Sequence, residues 1–483
     1  MKFLGLRIED HDSNITYTDG TKVRYCATER LFGIKHHGYD NTWQWQDVLD
    51  SWGVNADELD ALAIISDQIT FEDGETYREL DMGFPCRTFA VDHHYCHALS
   101  LWPLGEVPYT NYIYDGFGNN DRSYSLILGN KIGCSHSVLT TGSIGVEMAK
   151  VGRALGIEAD PHGLDLAGKI MGLAAYGLVD EEYYHKISHS HLTDIKKIWN
   201  YDSWDRKWDN DFDINWLRTV HEYTGDQLAL YMNHPVGGDD VIGYSGGIAQ
   251  NCVFNGKILS GDKKIMIPPH ANDCGLTLGA VEFLRQHYHE EPFSNEGFPF
   301  WQDDEGTEEV SDQVILETAE ALADGDIVAW YQGHGEIGPR ALGNRSILMN
   351  PRLPDAKDTL NRKVKHREHF RPFGGSVLLE DVDKHFEWTG ACPYMNVSVP
   401  VKDDGLKAIT HIDGSSRIQT VDGDGSYARL LRKYKEITGD GVLLNTSLNV
   451  GGKPIAGHKW EAKEMFSKRG IDVLVIGDDI LSK

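Results

Sequence analysis

The sequence has few of the features that mark a disulfide-stabilised or membrane-spanning protein. Its seven cysteines are scattered and form no CxxC pair, which argues against a disulfide framework and a structural zinc site. It contains no apolar run of the length that a transmembrane helix requires. The opening stretch MKFLGLRIEDHDSNI lacks the basic and apolar regions of a signal peptide. We therefore expect a cytoplasmic protein with no membrane partner.

Basic residues are scarce, since 46 Lys and Arg against 74 Asp and Glu give a formal charge of −28. Such a charge opposes non-specific attraction to nucleic acid. One segment departs from this pattern, because nine basic residues and only three acidic ones lie between Arg340 and Arg371. That segment is either a solvated basic face or part of a concave site for a phosphorylated substrate.

The length and composition indicate a globular protein of more than one domain. At 483 residues the chain exceeds what one hydrophobic core usually supports, and 40% hydrophobic with 25% charged residues is ordinary for folded proteins. Short β-rich runs alternate with helical patterns along the chain, which predicts an α/β fold. A polar, Pro/Gly-rich stretch at 292–309 predicts a linker between a domain of residues 1–291 and one of residues 310–483.

A candidate metal site lies in the first of these domains. His93 and His97 are four residues apart in HHYCHALS and so share one helix face, and Asp115 ends the apolar strand that follows. Two imidazoles and a carboxylate suit Fe²⁺, Mn²⁺ or Zn²⁺. With 22 histidines this spacing also occurs by chance, so structural histidines are the alternative. Asp273, in HANDCGLTLGA, is either a helix cap or a further ligand.

A Gly-Gly turn offers a second candidate site. Ser245, Gly246 and Gly247 follow the apolar strand VIGY, where the absence of side chains lets a nucleotide approach the backbone. Asn251 and Asn255 lie one helical turn apart behind it. An ordinary strand-to-helix connection has the same appearance.

Five basic residues form the most specific pattern. Arg340 and Arg345 lie in a loop shaped by glycines and a proline, and Lys365, Arg367 and Arg371 follow in LNRKVKHREHFRPF. The planar fork of arginine suits a bidentate grip on phosphate or carboxylate. Such crowded cations repel one another unless an anion or neighbouring acids compensate them. We therefore predict an anion site.

Together these motifs resemble the carbamoyltransferase family of antibiotic and nodulation-factor biosynthesis, whose members join a Kae1-like ASKHA domain to a YrdC-like domain. The matching stretches are HDSNI, ATERLFGIKH, DHHYCHALS, YDGFG, GKIMGLAAYG, YSGGIAQNCVFNGKI, ANDCGLTLGA, GPRALGNRSILMNPR, LNRKVKHREHFRPF, THIDGSSRIQTV and LLNTSLNVGGKPI. The resemblance implies a duplicated actin/Hsp70-type α/β domain followed by an α/β domain with a twisted mixed sheet.

The resemblance also implies a two-step reaction. The YrdC-like half would make carbamoyl-adenylate from carbamoyl phosphate and ATP, with Mg²⁺, and the Kae1-like half would pass the carbamoyl group to an acceptor hydroxyl. The positions matching the family's metal ligands, which would hold Fe²⁺ or else Mn²⁺ or Zn²⁺, are His93, His97, Asp115 and Asp273. The positions matching its carbamoyl-phosphate and nucleotide site are Lys365, Arg371, Arg417, Ser447 and Asn449.

The charge argument adds Arg340, Arg345 and Arg367 to that second site. His94, beside the ligands, either assists deprotonation of the acceptor or has an ordinary structural role. The favoured acceptor is a small sugar-like or antibiotic-like molecule, and a homodimer is possible. The region around 187–238 matches the family poorly and leaves the acceptor pocket undefined.

Three alternative functions stay open at this point. The acceptor could be a hydroxymethylated base in DNA or RNA, although the net charge opposes this. The chain could be a non-catalytic ASKHA nucleotide-binding regulator, but its basic and His/Asp motif residues are retained. A tRNA threonylcarbamoyl enzyme has both domain types, yet the C-terminal motifs favour free carbamoyl phosphate as the donor.

Overall fold

Two β-sheets in the N-terminal half repeat one topology in the computed structural model, which describes residues 1–38, 44–200 and 211–483. The strands are β1 Phe3–Arg7, β2 Asn14–Thr18, β3 Val23–Ala27, β4 Ala61–Ile65, β5 Tyr77–Leu80, β6 Arg87–Val91, β7 Thr110–Gly118, β8 Arg122–Leu128, β9 Lys131–Ser137, β10 Val241–Ser245 and β11 Lys264–Met266. The strand orders are β3-β2-β1-β4-β6-β5 and β11-β10-β7-β8-β9. In each sheet, three antiparallel strands are extended by two parallel ones beside the first strand. This repetition agrees with the predicted duplicated domain.

Ten helices accompany these sheets in the described part of the chain. They are α1 Thr28–Phe32, α2 Gln44–Ser51, α3 His93–Leu99, α4 Ile144–Ala154, α5 Leu166–Ala174, α6 Glu181–Ile187, α7 Ile195–Ile198, α8 Asp211–Asn233, α9 Cys252–Leu259 and α10 Leu276–His287. Helices α3 and α10 pack closely, because Gly279 has no side chain. A Cβ atom at this position would overlap the carbonyl oxygen of Cys96. No helix among the described residues is both long and apolar enough to cross a membrane.

The C-terminal half is built on one mixed sheet. Its strands are β12 Val328–Tyr331, β13 Arg345–Met349, β14 Gly374–Leu378, β15 Val397–Pro400, β16 Ser415–Val421, β17 Val442–Ser447, β18 Val473–Ile476 and β19 Asp479–Ser482, in the order β15-β16-β14-β17-β13-β12-β18-β19. Its helices are α11 Asp312–Asp324, α12 Ala356–Leu360, α13 Val382–His385, α14 Ser426–Thr438 and α15 Lys459–Lys468. The three mixed sheets of the protein confirm the predicted α/β class.

Both faces of this third sheet are covered. Along β12, Val328 and Trp330 face one hydrophobic core, and Ala329 and Tyr331 face the other. Alternation of this kind follows from the two-residue period of a strand. A sheet buried on both sides holds its loops firmly, and these loops carry most of the predicted anion site.

The stretch 292–309, predicted as a linker, packs between the two halves. The Trp301 ring stacks on Trp102, with ring centroids 5.4 Å apart. Gln302 is buried and pairs through its backbone with Gly335. Asp304 accepts a hydrogen bond from the Arg345 guanidinium at 2.8 Å. The stretch therefore fixes one half against the other, while the domain limits at 291 and 310 stay a prediction.

Buried polar contacts also join the halves directly. Arg30 of α1 donates a hydrogen bond to the Glu336 carbonyl oxygen at 2.7 Å. The Asn255 side chain of α9 donates to the Asn396 carbonyl oxygen at 2.8 Å. Buried donors of this kind need their partners, because a lost hydrogen bond there carries the full cost of desolvation. The sites described below therefore sit against a fixed interface.

Candidate functional site

Four side chains converge at the start of α3. Nε2 of His93 lies 3.2 Å from Nε2 of His97 and 3.1 Å from Oδ2 of Asp115. It also lies 3.3 Å from Oδ1 of Asp273. Nε2 of His97 lies 3.5 Å and 3.4 Å from the same two oxygens. All four residues are buried.

This arrangement fits a divalent cation. The four ligand atoms lie within 4.8 Å of one another. Ligands about 2.0–2.1 Å from a tetrahedral ion lie about 3.4 Å apart, which matches the nitrogen-to-oxygen spacing found in this cluster. Two imidazoles and two carboxylates would also offset the charge of the ion. We call these four residues the acid–imidazole cluster.

Local packing brings the cluster together. Asp92 caps α3 by accepting a hydrogen bond from the Tyr95 backbone N–H at 3.0 Å, which fixes the first turn that carries His93. Asp273 lies three residues before α10. Because Gly279 lets α10 approach α3 closely, Asp273 reaches the two imidazoles.

Two residues that the sequence patterns did not indicate, Arg7, which is buried, and Asp67, which is partly buried, hold the cluster in place. Oδ1 of Asp67 accepts a hydrogen bond from Nδ1 of His93 at 2.6 Å. The Arg7 guanidinium, fully buried, donates to Oδ2 of Asp273 at 2.6 Å and lies 3.8 Å from Asp67. Burial raises the pKa of Asp273, but Arg7 and His93 outweigh it and hold that pKa well below its ordinary value. The sequence signal that could have indicated Arg7 is the presence of an arginine in the apolar strand FLGLR.

His94 is buried beside the cluster but is not part of its ligand set. Nδ1 of His94 lies 2.7 Å from Oγ of Ser125. Among the described residues, Nε2 of His94 has no hydrogen-bond partner. Burial, and then the neighbouring His93, lowers the pKa of His94 well below its ordinary value, so the imidazole is neutral.

The Gly-Gly turn supports the cluster. The Gly247 backbone N–H donates to Oδ1 of Asp115 at 2.7 Å, which leaves Oδ2 for the histidines. Gly246 has a φ of 95°, and a Cβ there would overlap the backbone of β7. Oγ of Ser245 lies 3.4 Å from Nδ1 of His97. These three predicted nucleotide-binding positions thus orient two of the cluster residues.

The two asparagines behind the turn are occupied by protein contacts. The Asn251 side chain caps α9, accepting hydrogen bonds at 3.2 Å from two backbone N–H groups, and its amide lies 3.0 Å from Nε2 of His221. The Asn255 amide donates at 2.8 Å to the carbonyl oxygens of Ala249 and Asn396. The structure thus shows both side chains in capping and in contact between the halves, and their role in nucleotide binding stays a prediction.

The predicted carbamoyl-phosphate site assembles around Lys365, which ends a turn of π-helix, Asn361–Lys365, directly after α12. Its Nζ donates to the Ser447 carbonyl oxygen at 2.7 Å and to Oδ1 of Asn449 at 2.6 Å. Burial, followed by Arg367 and Arg371, lowers the pKa of Lys365 well below its ordinary value. An anion nearby would favour its charged form.

Arg367 and Arg371 act on this lysine, and Arg340 and Arg417 in turn act on these arginines. Burial and then Arg417 lower the pKa of Arg340 to about 9. Burial and then Arg371 lower the pKa of Arg367 well below its ordinary value, and the Arg367 guanidinium lies 4.2 Å from the Phe373 ring centroid. Mutual lowering of this kind indicates cations close together without enough counter-charge. We call this set the cationic pocket; its members are Arg340, Lys365, Arg367, Arg371 and Arg417.

Arg345 is not part of the cationic pocket, although the charge argument placed it in the site. It is fully buried, and it donates to the Gln332 carbonyl oxygen at 2.6 Å and to Oδ2 of Asp304 at 2.8 Å. Its guanidinium stacks 3.5 Å from the Tyr331 ring centroid. The sequence reasoning missed these partners because all five donor contacts of the Arg345 side chain are to backbone carbonyl groups or to the 292–309 stretch.

A cavity of about 90 Å³ is lined by residues of both halves of the chain. Asn272, which precedes Asp273, lines one end, and Asn449, which bonds Lys365, lines another. Asp12 and His36 line its N-terminal wall and lie 2.8 Å apart through Oδ1 and Nδ1. Because both halves contribute to this cavity, it lies at the interface between them.

The fold and these sites define an α/β protein with one centre suited to a divalent cation and one suited to a phosphorylated anion. Residues 319–483 match the family model described as the carbamoyltransferase C-terminus. This match confirms the predicted resemblance to that family over the C-terminal third of the chain. This third contains every member of the cationic pocket.

Curated proteins with similar sequences carry related descriptions. The chain is 36% identical over 266 residues to the nodulation protein NolNO of Sinorhizobium fredii, covering 50% of this chain and 39% of that protein. It is 37% identical over 252 residues to the 3′-hydroxymethylcephem-O-carbamoyltransferase of Amycolatopsis lactamdurans, covering 48% and 47%. The chain thus spans about half the length, or less, of these relatives. Among solved structures, HypF of T. kodakarensis is 12% identical with a TM-score of 0.40, covering 61% of this chain and 49% of that one.

Proposed function

We propose that the protein is an ATP-dependent O-carbamoyltransferase. It would make carbamoyl-adenylate from carbamoyl phosphate and ATP and transfer the carbamoyl group to a hydroxyl of a small molecule. The observation that supports this most directly is the cationic pocket, which lies within the residues that match the carbamoyltransferase family. Its four arginines and one lysine suit a site that must hold carbamoyl phosphate and the phosphates of ATP together.

The first step activates the carbamoyl group. Carbamoyl phosphate and water give carbamate and phosphate, and a carbamate oxygen then attacks the α-phosphorus of ATP, so that pyrophosphate leaves. Lys365 and Arg371 would offset the charge that develops on the phosphates, as fixed cations do best in a site already organised for them. ATP would enter with Mg²⁺, which most enzymes bind through substrate phosphates.

In the second step the acceptor hydroxyl attacks the carbonyl carbon of carbamoyl-adenylate, and AMP leaves. A divalent cation bound by His93, His97, Asp115 and Asp273 would supply Lewis acidity at this site. Arg7 and Asp67 fix the orientation of those ligands. The hydroxyl proton must pass to a base, and the neutral His94 is our proposed residue for it.

The shared cavity supports a direct transfer between the two halves. A mixed anhydride such as carbamoyl-adenylate hydrolyses when water reaches it, so the enzyme gains from holding it inside. The cavity is lined by residues of both halves, and buried contacts such as Arg30 to Glu336 close the interface beside it.

We propose a small acceptor with a primary hydroxyl. A net charge of −28 disfavours a polynucleotide. The name of the similar cephem enzyme specifies a hydroxymethyl group on a small molecule, and a cavity of about 90 Å³ suits a small reacting group. These observations favour a hydroxymethyl compound over a nucleic acid as the first substrate to test.

One experiment tests both steps. The protein is incubated with carbamoyl phosphate labelled at carbon, ATP, Mg²⁺ and Fe²⁺, and then offered small alcohols and a hydroxymethylated oligonucleotide. We expect phosphate, pyrophosphate and carbamoyl-adenylate without an acceptor, and a carbamoylated product with a small alcohol. If pyrophosphate never appears under any metal condition, the activation step is wrong. If only the oligonucleotide is labelled, the acceptor class is wrong.

A further inference from the structure

Lys169 belongs to the N-terminal half but contacts Glu368 of the other half, which in turn pairs with Arg371 of the cationic pocket. It lies on α5 and is largely buried, with 8% of its side chain exposed. Its Nζ donates to the Glu158 carbonyl oxygen at 2.6 Å and pairs with Asp165 at 2.9 Å. It also lies 2.7 Å from Oε1 of Glu368, across the interface.

Glu368 connects this lysine to the cationic pocket. Its second carboxylate oxygen, Oε2, lies 3.5 Å from Nη1 of Arg371. One carboxylate therefore lies between a cation of the N-terminal half and a cation of the cationic pocket, which is the proposed binding site of the carbamoyl donor (the donor site). Burial raises the pKa of Glu368, but the Lys169 hydrogen bond and Arg371 outweigh burial and lower it, so the group is ionised at neutral pH.

The carboxylate of Glu368 competes with any anion for Arg371. A fully negative carboxylate 3.5 Å away would draw the guanidinium from the pocket, because unlike charges attract strongly where solvent is limited. Lys169 takes up part of that charge and fixes the carboxylate through Oε1. Arg371 then keeps donors free for a phosphate group.

We propose that Lys169 is a positioning residue of the donor site, contributed by the half of the chain that transfers the carbamoyl group. It acts through Glu368, by restraining that carboxylate so that Arg371 binds the phosphate of carbamoyl phosphate. This inference rests on the proposed function, which assigns Arg371 to that substrate. It also places the strength of donor binding under the control of the interface between the halves.

The contacts of Lys169 to Glu158 and Asp165 would also suit a residue with a purely structural role. Variants that change the charge distinguish this structural role from the proposed positioning role. Lys169→Gln keeps a donor and much of the side-chain length but removes the positive charge. The double variant Lys169→Gln with Glu368→Gln removes the competing negative charge as well, and two amides can still bond to each other. A structural role predicts that the double variant is no better than the single one.

The test measures the affinity for inorganic phosphate by calorimetry and the KM for carbamoyl phosphate and for ATP by pyrophosphate exchange. In K169Q we expect phosphate affinity to fall, and the carbamoyl phosphate KM to rise, by about tenfold, with the ATP KM within about twofold. The double variant should return to within about threefold of the wild type. Lys150→Gln is the matched control, because Lys150 pairs only with Glu147 on its own helix, and it should behave as wild type.

Unchanged phosphate affinity in K169Q would overturn the inference, as would a double variant as weak as K169Q. Should K169Q not fold, Glu368→Gln alone carries the test, because removing the competing carboxylate should tighten phosphate binding by about threefold. No tightening there would overturn the inference as well. If the wild type shows no pyrophosphate exchange while phosphate affinity still follows this pattern, the proposed function fails and the role of Lys169 stands.

Discussion

Asp67 accepts a hydrogen bond from Nδ1 of His93 at 2.6 Å and so turns Nε2 of that ring toward Asp115 and Asp273. A carboxylate that fixes the tautomer and direction of a histidine commonly accompanies histidine metal ligands. The same Asp67 lies 3.8 Å from Arg7, which also bonds Asp273. One arginine and one aspartate thus orient ligands from two distant segments of the chain.

Asp67→Ala should weaken metal binding without removing a ligand. We expect the affinity for Fe²⁺ or Zn²⁺ to fall roughly ten- to hundredfold, because the His93 ring loses its fixed orientation. Metal titration of the purified protein measures this. The exposed Asp73→Ala serves as the control. Equal affinities in the two variants would show that Asp67 has no role in orienting the ligand.

His97→Ala should separate the two half-reactions. We expect metal binding and acceptor transfer to be lost while pyrophosphate formation continues, since the cationic pocket lies in the other half. Metal content, melting temperature and both rates are measured on one preparation. His185 and His189 have the same four-residue spacing on and beside α6 and are exposed, so His185→Ala is the matched control. Metal stoichiometry and transfer that both survive in H97A would refute the cluster assignment.

Arg371→Ala should lose carbamoyl-phosphate-dependent activation while the chain stays folded. Removing one arm of a phosphate clamp costs about 2–3 kcal/mol of binding or transition-state stabilisation. Arg371→Lys should recover part of the activity, because the charge returns without the bidentate fork. The exposed Arg362→Ala, in the same basic segment, is the control for general charge. Pyrophosphate release measures the activation rate of all three variants. A wild-type rate in R371A would place Arg371 on an ordinary solvated face.

Arg345→Ala should affect stability and not donor binding. Its loss removes the charged partner of the Asp304 carboxylate and a donor to four carbonyl oxygens, which costs about 3–5 kcal/mol of unfolding free energy. Chemical denaturation measures that free energy. The carbamoyl phosphate KM of the folded fraction should stay at the wild-type value, and a large rise would return Arg345 to the donor site.

His221 should make the protein less stable as the pH falls. Burial lowers its pKa to about 3, while the unfolded chain titrates near 6.5. Between these values the unfolded state binds the extra proton, so the free energy of unfolding rises with pH and is lost on acidification, by up to about 1.4 kcal/mol per pH unit. His221→Phe, which can keep the stacking on Phe254 at 4.4 Å, should flatten that slope between pH 5 and 6.5. Chemical denaturation at several pH values measures the free energy of unfolding of the wild type and of His221→Phe. Equal pH slopes in the two proteins would contradict the lowered pKa of His221.

The sequence predicted much of the acid–imidazole cluster and the cationic pocket because their residues lie in short motifs with a chemical reason for their spacing. His93 and His97 share a helix face, and the crowding of Lys365 with Arg371 has no apolar explanation. Arg7 and Asp67 could not be found in that way, since each is distant in sequence from the ligand it orients. Their contacts exist only once β1 and β4 are neighbours in the first sheet.

Arg345 and Asn255 are two predicted site residues whose protein contacts the sequence did not indicate. Both carry side chains that suit a phosphate or nucleotide, and both are occupied by backbone carbonyl groups. Which partner such a donor finds depends on the turn that surrounds it, and residue type does not determine that turn. The packing of the stretch 292–309 was hidden for a related reason, because its polar composition suits a linker while its one tryptophan and one glutamine pack against neighbouring residues.

The absent side chain at Gly279 has a consequence for the evolution of the proposed metal centre. Since α10 touches the backbone of α3 there, one added methyl group would push the two helices apart. His93 and His97 would move with one helix and Asp273 with the other, so the ligand spacing would change although no ligand had been replaced. Loss of cation binding can therefore arise in this protein from a position that never meets the ion, and a scan of ligand residues alone would miss it.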